Sequence, residues 1–292
     1  MEYREYGNSG LKVSAVGFGA GQIGDNSQSE KEIEILLNHV LDSGINLIDS
    51  ARSYGLSEER IGKYLSHRRD EFFISTKIGY GIKGVSDWSY DAIAKGVEEA
   101  LQKYKTDRLD FVHLHSCPIE TLLRGEVVDA LEKMVEKGKV KVAGYSGENE
   151  ALKYAVASGK FKGVQTSVNL FDQQKIDATL LDAKNNGLGV IAKRPTGNAP
   201  WRFNERPIGH YCEEYWMRMK RMNLHLQMDW QETALRFAAY TEGVTCIITG
   251  TTNIKHLDEN IKLISRGKLP DNIYNEIRTS FKFNDNNWRG QI

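Results

Sequence analysis

The feature that most constrains this chain is a repeated alternation. Short apolar runs rich in β-branched and aromatic residues are separated by longer segments of helical period. The runs are residues 16–19, 46–49, 72–77, 109–115, 141–146, 163–168, 188–193 and 245–249. Near-continuous apolar runs of this kind suit strands buried on both faces, and alternation with helices implies βα units and a parallel sheet. Eight such units are the number that closes a (β/α)8 (TIM) barrel. The helical segments support this. Ser29 and Glu32 form an S-x-x-E capping pattern, after which Ile33, Leu36, Leu37, Val40 and Leu41 trace one face. Ile93, Val97, Ala100 and Leu101 repeat the spacing, as do Val127, Val128, Leu131 and Val135. Glycines at 44, 138, 159 and 187 mark helix ends.

With 292 residues and no Pro-rich or Gly/Ser-rich divider, residues 1–292 read as one barrel domain. Two segments exceed the barrel's needs. Residues 1–12 hold a Gly-Asn-Ser-Gly turn and predict a hairpin plugging the barrel bottom. Residues 194–228, after the seventh strand, are too long for an ordinary loop and predict an extra helix over 211–224.

Lysine plus arginine (39) balance aspartate plus glutamate (39), and no basic block exists, which argues against a nucleic-acid partner. No apolar run approaches the roughly 18 residues of a membrane span. The opening Met-Glu-Tyr-Arg-Glu lacks the apolar core of a signal peptide, so a cytoplasmic location is expected. Three scattered cysteines (Cys117, Cys212, Cys246) suggest neither a disulfide framework nor a metal site. Cys117 reads as a small packed side chain.

Gly19-Ala-Gly-Gln-Ile-Gly24 matches G-x-G-x-x-G after a strand, but the next helix opens only at Ser29. The third glycine therefore cannot pack a helix against a strand as a dinucleotide fingerprint requires. The glycines instead let backbone approach a ligand at a strand end.

Three consecutive strand ends carry polar groups that a barrel core would not choose: Asp49, Lys77 and His115. Tyr54 follows Asp49 in the next loop. The C-terminal strand ends of a barrel meet at one face, where these four side chains would converge. Taken singly, each has an ordinary structural reading: a helix N-cap, a solvated charge, a satisfied histidine. Together they form an acid/base device. An ammonium beside a phenol favours the ionised form, a carboxylate holds the ammonium charged, and an imidazole addresses a substrate carbonyl. His113 shares a strand face with His115 one layer lower, and a His113–Ser75 hydrogen bond is expected there.

The segments Gly10-Leu-Lys-Val-Ser-Ala-Val-Gly-Phe-Gly19, Asn46-Leu-Ile-Asp-Ser-Ala-Arg-Ser-Tyr-Gly55, Ser57-Glu-Glu-Arg-Ile-Gly62 and Phe73-Ile-Ser-Thr-Lys77 occur in this order. They are followed by Asp107-Arg-Leu-Asp-Phe-Val-His-Leu-His115, Gly144-Tyr-Ser146, Val164-Gln165, Thr249-Gly-Thr-Thr-Asn253 and His256-Leu-Asp-Glu-Asn260. In that order the chain resembles the aldo-keto reductases from end to end. The resemblance implies a barrel that binds a nicotinamide cofactor without a Rossmann fold, and no metal. It implies Tyr54 as general acid assisted by Lys77, Asp49 and His115, in the reduction of an aldehyde or ketone or the reverse oxidation.

It further implies that Ser146 and Gln165 hold the nicotinamide carboxamide and that Glu259 and Asn260 meet the adenine. Gly19 and Ala20 would let backbone approach the cofactor. Gly147 stands where the family usually has asparagine. Ile191-Ala-Lys193 stands where many members have a stacking tyrosine, so Lys193 or Arg194 would contact the cofactor by its stem or charge. Many NADPH-preferring members carry a lysine and an arginine where this chain has Gly250 and His256. Thr251, Thr252 and Lys255 remain as phosphate partners, with NADP(H) expected first and NAD(H) as the alternative. Trp88, Trp201 and Trp288 are candidate walls of a partly apolar substrate pocket. A cofactor-binding regulatory subunit with little turnover is a second reading of the same barrel. A lyase or isomerase using Lys77 as a Schiff-base nucleophile is a third.

Overall fold

A computed structural model describes residues 1–292. The hairpin strands are β1 (Tyr3–Glu5) and β2 (Lys12–Ser14), paired antiparallel. Eight parallel strands follow: β3 (Val16–Gly19), β4 (Leu47–Asp49), β5 (Phe73–Ile78), β6 (Leu109–His115), β7 (Val140–Ser146), β8 (Gly163–Ser167), β9 (Gly189–Lys193) and β10 (Cys246–Thr249). They close in the order β10-β3-β4-β5-β6-β7-β8-β9. All eight expected strands exist, with ends displaced by a residue at most positions. The helices are α1 (Glu30–Asp42), α2 (Ser57–Leu65), α3 (Tyr90–Tyr104), α4 (Ile119–Arg124), α5 (Glu126–Glu136), α6 (Asn149–Ala157), α7 (Thr179–Asn185), α8 (Glu213–Met222), α9 (Trp230–Tyr240), α10 (Ile254–Ile264) and α11 (Asp271–Asn284). No helix is long and apolar enough to cross a membrane.

The helix faces read from the sequence are the buried ones, for example Ile33, Leu36, Leu37, Val40 and Leu41 of α1. Of its capping pattern, the Ser29 hydroxyl accepts from the Glu32 amide at 3.5 Å. The glycines at 44, 138, 159 and 187 all take positive φ, as helix-ending residues do. The insertion after β9 holds α8, within the expected range, preceded by a short 3-10 turn at Pro200–Arg202.

The hairpin closes the bottom of the barrel through Tyr6. Its ring is fully buried and meets Phe111 edge-on, with centroids 4.6 Å apart. Tyr6, Val13, Leu47, Phe111, Val142, Ile191 and Cys246 form a separate inner core below the strand-to-helix core. Glycine at two strand positions makes room: a Cβ on Gly163 would lie 2.3 Å from the Tyr6 hydroxyl, and one on Gly189 2.3 Å from its ring.

The Tyr6 hydroxyl itself is buried without a hydrogen-bond partner. Tyr6→Ala should therefore cost about 3–5 kcal/mol, the usual loss for a buried aromatic. Tyr6→Phe should be neutral or stabilise by about 1 kcal/mol, because it removes only an unsatisfied group. Urea unfolding of the two variants checks both signs.

Candidate active site

Strand register brings the polar strand ends together. Gly19 pairs beside Asp49 and Asp49 beside Ser75, while His115 pairs beside Ser146 and Ser146 beside Gln165. Asp49 and Lys77 are almost wholly buried, and Lys77 Nζ donates to Asp49 Oδ2 at 2.6 Å and to the Ser50 carbonyl at 2.7 Å. The other Asp49 oxygen accepts from Ser75 Oγ and from Gln165 Nε2, each at 2.8 Å. Burial alone would lower the Lys77 pKa, but the adjacent Asp49 carboxylate overcomes it and holds the ammonium above its ordinary value.

Tyr54 lies in the loop between β4 and α2, its ring centroid 4.9 Å from Lys77 Nζ. Glycine 24 explains the loop's position. A Cβ there would fall 1.8 Å from the Tyr54 carbonyl, and the Gly24 carbonyl accepts from the Leu56 amide at 3.0 Å. The G-x-G-x-x-G stretch thus seats the Tyr54 loop, and Gly19 and Gly21 also border the cleft described below.

His115 ends β6 with its ring 6.3 Å from that of Tyr54 in edge-on orientation. Burial, reinforced by the Lys77 and Lys193 charges, presses its pKa to about 3. His113, fully buried, is lowered to about 4 by burial. The expected His113–Ser75 hydrogen bond is absent. Barrel stagger pairs His113 with Lys77 and Ser75 with Phe111, Ser75 donates to Asp49 instead, and both His113 nitrogens are unpartnered.

On the far side of the mouth lies a second buried ionic cluster. Lys175 Nζ meets Glu148 Oε2 at 2.8 Å and Asp172 Oδ1 at 2.7 Å, and Lys193 Nζ lies 3.2 Å from Glu148 Oε1. Glu148 is deeply buried, yet Lys175 and Lys193 hold its pKa at about 2. Lys193 is lowered to about 8, mainly by burial, despite Glu148. Arg194 has only neutral partners: the Ser167 hydroxyl at 3.3 Å, the Gln291 carbonyl and the Tyr211 hydroxyl.

A cleft of about 1580 Å³ opens over the strand ends and reaches Lys193 and Arg194, but not Glu148, Lys175 or Asp172. Tyr54, Lys77, Asp49, His115 and Ser146 line its inner end; Gly19, Lys193 and Arg194 line its flanks; Gly250, Thr251, Thr252, His256, Glu259 and Asn260 line its outer end. Several expected residues are elsewhere. Ala20 is buried, its amide donating to the Asp49 carbonyl and its own carbonyl accepting from Ser57 Oγ. Gln165 lies below the cleft, committed to Asp49 and to Ser146 Oγ at 2.9 Å. Lys255 is exposed outside the lining, because successive residues of α10 point to different sides.

The tryptophans are not cleft walls. Trp201 stacks on Trp230 at 5.6 Å, Trp288 packs edge-on against Phe281 beneath Arg218, and Trp88 meets Tyr80 edge-on at 5.7 Å. Each packs against a neighbouring aromatic and is half-buried.

Sequence reading missed Tyr80, Glu148, Arg202, Tyr211 and Gln231. Glu148 had a discoverable sign, a carboxylate two residues beyond a strand end. The others sit in loops or at a helix start, where no periodicity marks direction. No cluster of three or more His, Cys, Asp or Glu side chains is placed to hold a metal.

The sequence profile of the Aldo/keto reductase family matches residues 15–281. The chain belongs to this family. Among its relatives, L-galactose dehydrogenase of Arabidopsis thaliana is 26% identical over 283 residues, covering 91% of this chain and 88% of that protein. A probable voltage-gated potassium channel subunit beta, also from Arabidopsis thaliana, is 28% identical, covering 90% and 91%. The holo form of an aldo-keto reductase from Bacillus halodurans superposes with a TM-score of 0.82 at 23% identity over 96% of each chain, a likeness of fold. As a member of this family the chain is of oxidoreductase class.

The depressed histidines give a pH prediction. An unfolded histidine takes up a proton below about pH 6.5, whereas folded His113 and His115 do so only near 4 and 3. The unfolded state thus binds more protons below pH 6.5, and stability falls as pH drops. The loss expected at pH 5 is about 2 kcal/mol per histidine. Unfolding free energies that match at pH 7 and pH 5 would contradict this.

Proposed function

We propose that this protein is a nicotinamide-dependent reductase of an aldehyde or ketone, catalysing in reverse the oxidation of the alcohol by the oxidised cofactor, with Tyr54 as the general acid. The observation that carries the reading is the buried Asp49–Lys77 pair beside the Tyr54 ring, at the inner end of the large cleft. When bound, the cofactor supplies the hydride that adds to the carbonyl carbon. Tyr54 gives its phenolic proton to the carbonyl oxygen, and the phenolate left behind is stabilised by the Lys77 ammonium. Asp49 keeps that ammonium charged in a dry environment. His115, neutral at ordinary pH, cannot act as an imidazolium and serves by hydrogen bonding to the substrate oxygen. Solvent returns the proton to Tyr54 after turnover.

The cleft suits an extended dinucleotide. It exceeds the roughly 300–1,000 Å³ of common small-molecule sites. Two polar atoms on cleft-lining residues, Asn198 Nδ2 and Thr249 Oγ1, lack protein partners. Ser146 would meet the nicotinamide end, with Gln165 supporting it from below, and Lys193 and Arg194 would run along the middle. Glu259 and Asn260 would meet the adenine end. We assign NADP(H), with NAD(H) as the alternative. The start of α10 faces the cleft with Thr251, Thr252 and His256, where helix amides and dipole favour an anion. A sugar aldehyde or its alcohol is the natural first substrate series, given the relative named L-galactose dehydrogenase. A cytoplasmic setting remains part of this proposal. The relative named as a channel subunit favours a second reading, a cofactor-binding regulatory subunit with little turnover.

The nicotinamide absorbance assay with an aromatic aldehyde separates the two readings. Oxidation of NADPH or NADH supports the reductase; tight cofactor binding without turnover supports the regulatory subunit. Tyr54→Phe should lower turnover by about 10²–10⁴-fold with cofactor affinity unchanged. A variant that keeps a tenth of the activity would remove Tyr54 from the acid role. Thr252→Ala with His256→Ala should weaken NADPH by about tenfold, the worth of one charge-assisted contact, and leave NADH nearly unaffected. Equal losses would show that no 2′-phosphate is read there.

A further inference from the structure

We infer that Tyr80 is a positioning residue that fixes the tautomer of His115, so that Nε2 carries the ring's proton and faces the cleft as a hydrogen-bond donor. The inference rests on the reductase reading above for its catalytic meaning, but its geometry stands independently. Tyr80 follows β5 by two residues, and its hydroxyl lies 2.8 Å from His115 Nδ1. The two rings lie near-parallel, with centroids 5.5 Å apart and an interplanar angle of 24°. The Ser53 hydroxyl is 3.5 Å from the same phenol oxygen and is the weaker contact.

His115 is neutral near pH 7, so its ring holds one proton and must place it on one of two nitrogens. A phenol is a good donor and a modest acceptor, whereas an unprotonated imidazole nitrogen is a strong acceptor. The short contact is therefore Tyr80 O–H donating to Nδ1, and the ring proton sits on Nε2. That nitrogen has no protein partner and is not sealed from solvent, and the residue lines the cleft.

The consequence is a division of labour. An Nε2–H can hold and polarise a carbonyl oxygen, but giving up that proton would leave an imidazolate. The proton that ends on the product oxygen must then come from Tyr54. Tyr80 is itself held from behind. Trp88 meets its ring edge-on at 5.7 Å, and the Trp88 amide donates to the Gly79 carbonyl at 2.7 Å. Trp88 thus acts on the site through Tyr80 and His115.

The test is ¹⁵N NMR of histidine-labelled protein, with the His115 signals assigned by their loss in His115→Gln. Wild type should show Nε2 protonated and Nδ1 as an unprotonated acceptor. In Tyr80→Phe the two tautomers should become mixed, and kcat/KM for an aldehyde should fall about tenfold, the worth of one positioned hydrogen bond. Cofactor affinity should stay unchanged, which also verifies that the variant folds. A wild-type spectrum with the proton on Nδ1 overturns the inference before any variant is made. So does a Tyr80→Phe spectrum identical to wild type. Because the spectra need no turnover, absence of reductase activity would sink the proposed function while leaving the tautomer assignment decided.

Discussion

The Asp49 carboxylate is the interaction on which the mouth of this barrel depends. It accepts from Lys77 and Ser75 on β5 and from Gln165 on β8, reaching across the barrel rather than along one strand pair. Taking a carboxylate and an ammonium out of water costs several kcal/mol each, recovered only where geometry and extra hydrogen bonds are good. Here both Asp49 oxygens are occupied, and the ammonium has a second acceptor in the Ser50 carbonyl. Removing either partner would strand a buried charge, at about 3–5 kcal/mol. The pair is therefore a constraint on the position of β4 and β5.

The Glu148 cluster shows a different balance on the opposite side. Two lysines share one carboxylate, and only one of them, Lys175, also has Asp172. Lys175 is held above its ordinary pKa, while Lys193 is pulled below it. The same fold thus strengthens the charge on one lysine and weakens it on the other, which is lowered to about 8. Lys175 reaches two carboxylates, whereas Lys193 reaches one and has the Arg194 guanidinium beside it.

Much of this was legible in the sequence because it follows from periodicity. Strand and helix patterns repeat, so the barrel, the hairpin and the helix after β9 were readable. Asp49, Lys77 and His115 stood out because a polar residue at the end of an apolar run breaks the pattern. Side-chain direction was not legible. Whether Lys255 faced the cleft depended on the exact turn of α10, and whether Ser75 met His113 depended on barrel stagger, which no local pattern encodes. Trp88, Trp201 and Trp288 were read as recognition surfaces, yet each turns toward another aromatic, a direction that the sequence pattern does not encode. Tyr80 went unread for the opposite reason. It lies just past a strand, in a loop, and its importance comes wholly from one contact.

The anchoring of the Asp49–Lys77 pair bears on how such a protein can diversify. Every hydrogen bond that fixes the Asp49–Lys77 pair comes from β4, β5, β8 or the residue next to β4, and none comes from the 194–228 insertion. The long loop that contributes Arg202, His210 and Tyr211 to the cleft is thus mechanically separate from the groups beneath Tyr54. Substitutions, insertions or deletions in that loop can reshape what enters the cleft while leaving the Asp49–Lys77 pair undisturbed. The scaffold keeps its buried ionic pair fixed and leaves the wall of the cleft open to change.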